Sequence, residues 1–368
     1  MKKGITILIK PASSLCNMRC KYCFYADIAE NREIESFGVM TNETATAVIE
    51  KGLDFADGGS INFAFQGGEP TVAPLEFFKF FVETVKKLNT NKTAISYALQ
   101  TNGTLITKPH CKFFAENNFL IGVSLDGKAD LHNTHRVDAE RKGTFNKVMK
   151  TIDMFKKYKV EFNIIAVVTS LSARSAASTY KFFRSHGFNF MQFIICLDPM
   201  GVKPLSGTFS PDNDGYFNFY KTILDLYIQD KRNGEPVYIR YLDNLLGMLN
   251  GQTPELCGMS GACGGQLIVE GNGNCYPCDF YCEDKYLLGN INQNSLEEMG
   301  VCENMMKFKN SSLKIDAKCK SCSVFKICRG GCRRDRDYMS TGELDINMYC
   351  EGRKKFFEYF LSVMNYKL

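Results

Sequence analysis

The sequence lacks the features of a membrane protein and of a secreted protein. No apolar run among its 368 residues approaches the roughly 20 residues that a membrane-spanning helix requires. The apolar run at positions 4–9 is closed by Lys10, so it is too short for the core of a signal peptide. We interpret this run as a first β-strand and expect a cytoplasmic protein without a membrane partner.

The sequence also lacks tryptophan and a strong excess of charge. Its four histidines show no metal-ligand spacing. The net charge of +5 is small for this length, and the basic residues are dispersed, whereas a nucleic-acid-binding surface clusters them. We therefore expect no nucleic-acid partner. Hydrophobic residues at 45% and charged residues at 23% are typical of a globular chain, long enough for about two domains.

Cysteine, in contrast, is abundant and clustered. Three of the sixteen cysteines lie within positions 16–23, and eleven lie within positions 257–350. Disulfides are rare in a reducing compartment, so clustered thiols there indicate metal ligands or redox groups. We assign no role to the remaining thiols of Cys111, Cys196, Cys275, Cys282 and Cys302.

Apolar strand-like runs alternate with helical stretches up to residue 199. Strands are expected at 5–9, 61–66, 94–100, 119–125, 161–168 and 188–196, and helices at 41–56, 75–88, 108–117, 144–158, 173–186, 212–231 and 351–364. Strands that are each followed by a helix predict a parallel α/β sheet. Polar and glycine residues follow all six strands, at the edge where such sheets bind ligands.

The composition changes near residue 236, where glycine and cysteine become dense. The runs at 266–270 and 275–278, separated by Gly-Asn-Gly-Asn, predict a β-hairpin. We therefore predict a first domain at 1–235 and a small cysteine-rich domain at 236–368, held by metal more than by a hydrophobic core.

The first cysteine motif has the spacing CxxxCxxC and comprises Cys16, Cys20 and Cys23. Three thiolates in one loop can hold three irons of a [4Fe–4S] cube and leave the fourth iron open. The alternative is a zinc loop completed by a distant residue, although this spacing is uncommon for zinc.

This motif and the segment Gly67-Gly68-Glu69-Pro70 resemble those of radical S-adenosylmethionine enzymes. The resemblance implies a partial (β/α)6 TIM-like barrel that binds S-adenosylmethionine at the open iron. In that family pattern Gly67 and Gly68 allow close approach of the cofactor, and Glu69 with neighbouring carbonyls receives its ammonium group. The resemblance also implies that Ser124 and Asp126 bind the ribose or carboxylate, Arg136 the carboxylate, and Leu197 the adenine. Tyr22 is a further expected cofactor-binding residue.

The second cysteine array resembles the SPASM extension of the same superfamily, with the pattern Cx9Gx4C, then Cx2Cx5Cx3C, then a final Cys. The resemblance implies two auxiliary [4Fe–4S] clusters, and therefore three clusters in all. One cluster would use Cys257, Cys263, Cys278 and Cys332, and the other Cys319, Cys322, Cys328 and Cys350. Structural zinc remains the alternative for these thiols.

Nearly the whole chain is similar to anaerobic sulfatase-maturating enzymes, through segments such as LIKPASS, FAFQGGEPT, YPCDFY and CRGGCRR. The resemblance implies oxidation of a Cys or Ser side chain in a sulfatase peptide to Cα-formylglycine. A 5′-deoxyadenosyl radical would abstract hydrogen from Cβ, Asp279 would accept the proton, and an auxiliary cluster would accept the electron. Gln66 and Tyr25 would help to hold the peptide or cofactor.

The expected partners are an unfolded or nascent sulfatase peptide and a low-potential donor such as flavodoxin or ferredoxin, with a monomeric enzyme. Three other functions remain open. A related maturase could form thioether or carbon–carbon crosslinks in a ribosomally made peptide. The chain could instead be a three-cluster electron carrier or a zinc-ribbon binding module.

Overall fold

The computed structural model describes residues 3–199, 201–202, 205, 208–337 and 343–366. The strands are β1 (Gly4–Ile9), β2 (Ser60–Phe65), β3 (Ala94–Thr101), β4 (Phe119–Ser124), β5 (Glu161–Val168), β6 (Phe190–Ile195), β7 (Tyr238–Ile239), β8 (Leu267–Val269), β9 (Asn274–Tyr276) and β10 (Gly289–Asn290). The helices are α1 (Phe24–Glu30), α2 (Asn42–Ala56), α3 (Leu75–Leu88), α4 (Lys108–Glu116), α5 (Ala129–His135), α6 (Phe145–Tyr158), α7 (Ser170–Ala173), α8 (Ala176–Ser185), α9 (Asn213–Arg232), α10 (Arg240–Leu249), α11 (Leu296–Val301), α12 (Glu303–Ser312), α13 (Ala317–Lys320), α14 (Phe325–Cys328) and α15 (Cys350–Val363).

The chain forms two compact units, each assembled from separate stretches of sequence. The first comprises Met1–Ser124, Arg136–Phe162 and Gly265–Phe308, and the second comprises Leu125–His135, Asn163–Gly264 and Lys309–Leu368. The boundary expected between residues 235 and 236 stays a prediction. No helix in the described ranges combines the length and apolar character of a membrane span.

The first unit is built on strands in the order β10-β9-β8-β1-β2-β3-β4. Strands β1 to β4 are parallel neighbours, and β8 pairs parallel to β1 on its other side. The hairpin expected from the sequence is present as the antiparallel pair β8–β9. Because Ile9 is paired with both Phe65 and Val269, the residues that follow β1, β2 and β8 emerge side by side.

Aromatic packing and amphipathic helices cover this sheet. The rings of Phe63, Phe65 and Phe81 meet edge to face at about 5 Å, a favourable arrangement for aromatic pairs. Helix α3 places Phe77, Phe78, Phe81, Val82 and Val85 in the core, while its lysines near the carboxyl end face solvent. This burial follows the helical spacing of its apolar residues.

The second unit contains the parallel strands β5, β6 and β7 and the long helices α9 and α15. A buried aromatic cluster of Tyr216, Tyr220, Tyr241, Tyr349 and Phe356 lies among these helices. The helix expected over 173–186 is present as α8 and begins three residues later than expected, because the chain turns between the short helix α7, which Thr169 caps, and Ala176.

Candidate functional site

The first cysteine loop follows β1 in the first unit. Cys16, Cys20 and Cys23 are all half-buried and free of disulfides. Arg19 donates from Nη1 to the carbonyl oxygens of Cys16 and Met18, both at 2.8 Å, which fixes the loop backbone. Burial raises the pKa of the Cys16 thiol to about 11. Binding of iron must therefore displace a proton from this thiol.

The glycines of the GGEP segment pack against the backbone that leads into this loop. Gly68 N–H donates to the Ser13 carbonyl at 2.8 Å, and Glu69 N–H donates to the Leu15 carbonyl at 2.9 Å. A Cβ atom on Gly68 would lie 2.3 Å from the Leu15 oxygen, so no larger residue fits. Gly67 has φ of +135°, which also favours glycine. The glycines therefore allow the protein's own backbone to pack closely on this side. Approach of the cofactor to Gly67 and Gly68 stays a prediction.

The Glu69 carboxylate is buried and accepts four hydrogen bonds from protein groups. Oε1 accepts from Thr71 N–H at 3.1 Å, Thr71 Oγ1 at 2.5 Å and Thr101 Oγ1 at 2.7 Å, and Oε2 accepts from Asn102 N–H at 2.7 Å. Burial raises the pKa of Glu69 although these bonds oppose the shift. Glu69 thus ties the GGEP segment to the end of β3, and its contact with an ammonium group stays a prediction.

Asp279 lies beside the ends of β1 and β2. Its Oδ1 accepts from Lys10 Nζ at 2.5 Å and its Oδ2 accepts from Gln66 Nε2 at 2.8 Å. The side chain of Lys10 is fully buried and that of Asp279 is 13% exposed. Burial alone would lower the pKa of Lys10, but Asp279, followed by Cys282 and Glu270, raises it overall. The geometry therefore holds a carboxylate in fixed orientation with limited solvent contact.

Tyr25 faces Lys10 with its ring and a buried carboxylate with its hydroxyl. Lys10 Nζ lies 3.5 Å from the ring centroid, within the range of a cation–π interaction. The Tyr25 hydroxyl donates to Glu270, which also accepts from Arg32 Nη1 at 2.8 Å. Burial, and then Glu270, raise the pKa of Tyr25 well above its usual value. Tyr25 therefore supports Lys10, and a contact with peptide or cofactor stays a prediction.

Sequence reasoning missed Lys10, Arg32 and Glu270 as site residues. In the sequence, Lys10 only marks the end of the first apolar run. The available signal was that Lys10 and Glu270 are ionisable residues placed directly after buried strands, a position where a charge needs a partner.

The remaining cofactor candidates divide between the units. In the first unit, the Arg136 guanidinium lies 5.5 Å from the Tyr22 ring centroid, and Ser124 is buried at the end of β4. In the second unit, Asp126 Oδ1 accepts from Val167 N–H at 3.0 Å, and Leu197 is half-buried after β6. The cofactor roles of all five residues stay predictions.

Seven thiols of the second cysteine array lie in the second unit and form two sets. Burial, followed by Asp335, Cys257 and Cys263, raises the pKa of Cys332. A Cβ atom on Gly258 would lie 3.3 Å from the Cβ of Cys332, so Cys332 lies beside the segment that carries Cys257. That these thiols share one cluster with Cys263 stays a prediction.

The other set contains Cys350 and its neighbouring thiols. Burial raises the pKa of Cys350 to about 11, and Cys328, Cys319 and Cys322 add to this shift. Cys278 lies in the first unit, where its carbonyl accepts from the Cys282 thiol at 3.6 Å.

The donor chemistry of these sets fits iron–sulfur clusters, since thiolate is the usual protein ligand of such clusters. In the parts of the chain that the structure describes, no three His, Cys, Asp or Glu side chains are arranged as ligands of a single metal ion.

Comparison with protein families and known proteins agrees with these features. Residues 11–183 match the radical SAM superfamily, and residues 257–323 match the SPASM iron–sulfur cluster-binding domain. The chain is 43% identical to a cysteine-type anaerobic sulfatase-maturating enzyme of Clostridium novyi, over 99% of this chain and 97% of the relative. It is 30% identical to a serine-type enzyme of Bacteroides thetaiotaomicron, over 99% of this chain and 91% of the relative.

A solved structure of native anSMEcpe with bound AdoMet and Cp18Cys peptide superposes with a TM-score of 0.93 at 43% identity, covering 99% of this chain and 98% of that one. The fold extends to Streptococcus suis SuiB, with a TM-score of 0.68 at 17% identity, covering 95% of this chain and 76% of that one. The expected fold class, a partial barrel followed by an iron–sulfur domain, is therefore confirmed. The chain belongs to the anaerobic sulfatase-maturating enzymes of the radical SAM superfamily.

Proposed function

We propose that this enzyme oxidises a cysteine side chain in a sulfatase peptide to Cα-formylglycine. The observation that carries the proposal is the Asp279 carboxylate, held by Lys10 and Gln66 beside the strand ends that lead into the first cysteine loop and the GGEP segment. Similarity along nearly the whole chain to enzymes of this name supports the same reaction.

The cofactors of the enzyme are three [4Fe–4S] clusters and S-adenosylmethionine. Cys16, Cys20 and Cys23 would hold the first cluster, and the two later cysteine sets would hold the others. When bound, these groups supply the radical that abstracts hydrogen from the substrate Cβ and the acceptor for the remaining electron.

The chain's own residues supply the base. Each Asp279 oxygen accepts one protein hydrogen bond and keeps acceptor capacity for another donor. Oδ1 is ion-paired with Lys10, so we assign proton acceptance from the substrate thiol to Oδ2, beside the neutral Gln66 amide. The buried Lys10 ammonium pairs with Oδ1 at 2.5 Å and compensates the charge of the carboxylate at a site with little solvent.

The Asp279→Asn variant tests this assignment. We expect it to load all three clusters and to cleave S-adenosylmethionine, but to lose formylglycine formation at least a hundredfold, because general bases contribute about 10²–10⁴-fold. Iron content, 5′-deoxyadenosine and peptide mass are measured on the same sample. Asp284→Asn is the matched control: it removes a charge five positions away, from a side chain whose Oδ2 accepts from Glu33 N–H, and it should keep wild-type yield. Full product yield from Asp279→Asn would exclude Asp279 as the base.

We propose a preference for a cysteine substrate, and the identities of the relatives support it. The cysteine-type enzymes are 43–44% identical to this chain, whereas the serine-type enzymes are 28–30% identical. Paired peptides of the CxPxR type, with Cys or Ser at the first position, provide the test. Faster conversion of the Ser peptide would contradict the preference.

A maturase that crosslinks a ribosomally made peptide is the second candidate, because the resemblance implies that such enzymes share both cysteine arrays. Peptide mass distinguishes the two reactions. Formylglycine formation from Cys replaces sulfur by oxygen with loss of two hydrogens, whereas a crosslink removes two hydrogens only.

We also propose that the enzyme works as a cytoplasmic monomer supplied with electrons by a flavodoxin or ferredoxin. The sixteen cysteines all lie in the described ranges and form no disulfide there, which suits a reducing compartment. Light scattering of the anaerobic protein tests the monomer, and turnover driven by each reduced donor tests the electron supply.

A further inference from the structure

Buried positive charge accumulates near the thiols of the second unit. In the described part of 328–353, four arginine side chains are buried: Arg333, Arg334, Arg336 and Arg353. The buried carboxylate in the same range is Asp337, and Asp335 is half-buried. Ionised side chains are rarely buried without compensating charge, so this segment is suited to an additional anionic group.

Arg353 has the most informative surroundings of the four arginines. Arg353 is 6% exposed, and its buried Nε and Nη2 atoms find no hydrogen-bond acceptor among the residues that the structure describes. Burial alone would lower the pKa of Arg353, but Cys328 first, then Tyr216, Tyr241 and Asp335, raise it well above its usual value. The guanidinium is therefore a cation with unused donors beside a thiol of the second array.

The CRGGC segment is shaped around this guanidinium. Gly331 lies between Cys328 and Cys332 and has φ of +78°. A Cβ atom on Gly331 would lie 3.3 Å from Arg353 Cζ and 2.4 Å from Asn347 Nδ2. The absence of a side chain at Gly331 thus lets Arg353 contact the backbone that carries two cluster ligands.

Arg353 also shares a helix with a ligand. Helix α15 begins at Cys350, and Arg353 follows three residues later, where side chains lie on the same face. The thiols of Cys319, Cys322, Cys328 and Cys350 interact electrostatically with one another. Four thiolates outweigh the charge of a four-iron core, so a cluster at this position is anionic, and reduction adds negative charge.

We propose that Arg353 sets the reduction potential of the second auxiliary cluster, the one expected at Cys319, Cys322, Cys328 and Cys350, by compensating the negative charge of that cluster. Local net charge and hydrogen bonds to sulfur are the means by which a protein tunes such clusters. Arg353 is thus a tuning residue that acts through the cluster. The inference depends on the auxiliary cluster and not on formylglycine formation, and its test contains no peptide, so the two proposals can fail separately.

The test compares Arg353→Met and Arg353→Lys in the full-length, reconstituted protein. Each protein also carries the substitutions Cys16→Ala, Cys20→Ala and Cys23→Ala, which remove the first cluster. A potentiometric titration followed by electron paramagnetic resonance then reports on the auxiliary clusters alone. The redox wave that disappears in the Cys322→Ala variant is assigned to the second auxiliary cluster. Lys355→Met is the matched control, because it removes the same charge from an exposed position on the same helix.

At the wild-type midpoint potential, we expect Arg353→Met to lower the ratio of reduced to oxidised cluster at least tenfold, which is about 59 mV for one electron. In Arg353→Lys and in the Lys355→Met control, the ratio should stay within about twofold of wild type. Arg353→Lys retains the positive charge, and the charge removed in the control is screened by solvent. An unchanged midpoint in Arg353→Met, or an equal shift in Arg353→Lys, would overturn the proposal.

Iron content decides the case in which a variant fails to hold the cluster. Loss of about four of eight irons in Arg353→Met, with retention in Arg353→Lys, supports charge compensation. Loss in both variants would show that the shape of arginine matters and not its charge, which also overturns the proposal.

Discussion

At the scale of residues, the site depends on a few positions whose surroundings accept no other residue. Gly68 is the strictest case, because a single added carbon would overlap the carbonyl oxygens of Ser14 and Leu15. The GGEP segment holds the backbone that immediately precedes Cys16, so its fit controls the first cysteine loop.

Gly68→Ala should therefore damage the first cluster selectively. We expect reconstituted protein to lose about four of twelve irons and most 5′-deoxyadenosine formation, while the auxiliary clusters remain. Gly300→Ala is the control, because its Cβ would meet nothing within 4 Å. Wild-type iron and cosubstrate cleavage in Gly68→Ala would contradict this role of the glycine.

Lys10→Met should destabilise the enzyme by about 3 kcal/mol, because it leaves the Asp279 carboxylate unpaired at a site with little solvent. The exposed pair of Lys3 and Glu297 offers a comparison, and Lys3→Met should change stability by less than about 1 kcal/mol. Denaturant unfolding of both variants measures the difference. Equal losses of stability in the two variants would show that the buried pair stabilises the fold no more than the exposed pair does.

At the scale of elements, local sequence patterns predicted the six barrel strands, because strands and helices are recorded in the periodicity of neighbouring residues. The pairing of β8 with β1 could not be predicted, since it joins segments about 260 positions apart. That pairing places Glu270 beside Lys10 and completes the group with Tyr25 and Arg32. Helices α11, α13 and α14 could not be predicted, because their four to six residues are too few to show a helical period.

Double substitution of Arg32 and Glu270 tests the connection between the segment after α1 and the end of β8. Arg32→Gln and Glu270→Gln should each destabilise the fold, because each leaves a buried charge without its partner. The double variant should lose less free energy of unfolding than the two single variants lose together, and the difference should be about 0.5–3 kcal/mol. Strict additivity would show that the two side chains do not act as a pair.

At the scale of the whole molecule, sequence order and compact units do not coincide. The segment that carries Cys278 and Asp279 belongs to the first unit, whereas the other seven thiols of the second array belong to the second. The cysteine spacing predicts the cluster ligands from motifs that are each contiguous in the chain, and these ligand assignments stay predictions. The environment of Asp279 could not be predicted, because Lys10 and Gln66 are 269 and 213 positions away.

The most direct measurement follows a deuterium label from a peptide cysteine. The reduced enzyme is incubated anaerobically with S-adenosylmethionine and a CxPxR-type peptide deuterated at the cysteine Cβ, and both products are analysed by mass spectrometry. The account predicts deuterium in 5′-deoxyadenosine and a matching amount of formylglycine peptide. Deoxyadenosine without deuterium, or a peptide that has lost hydrogen and retained its sulfur, would contradict it.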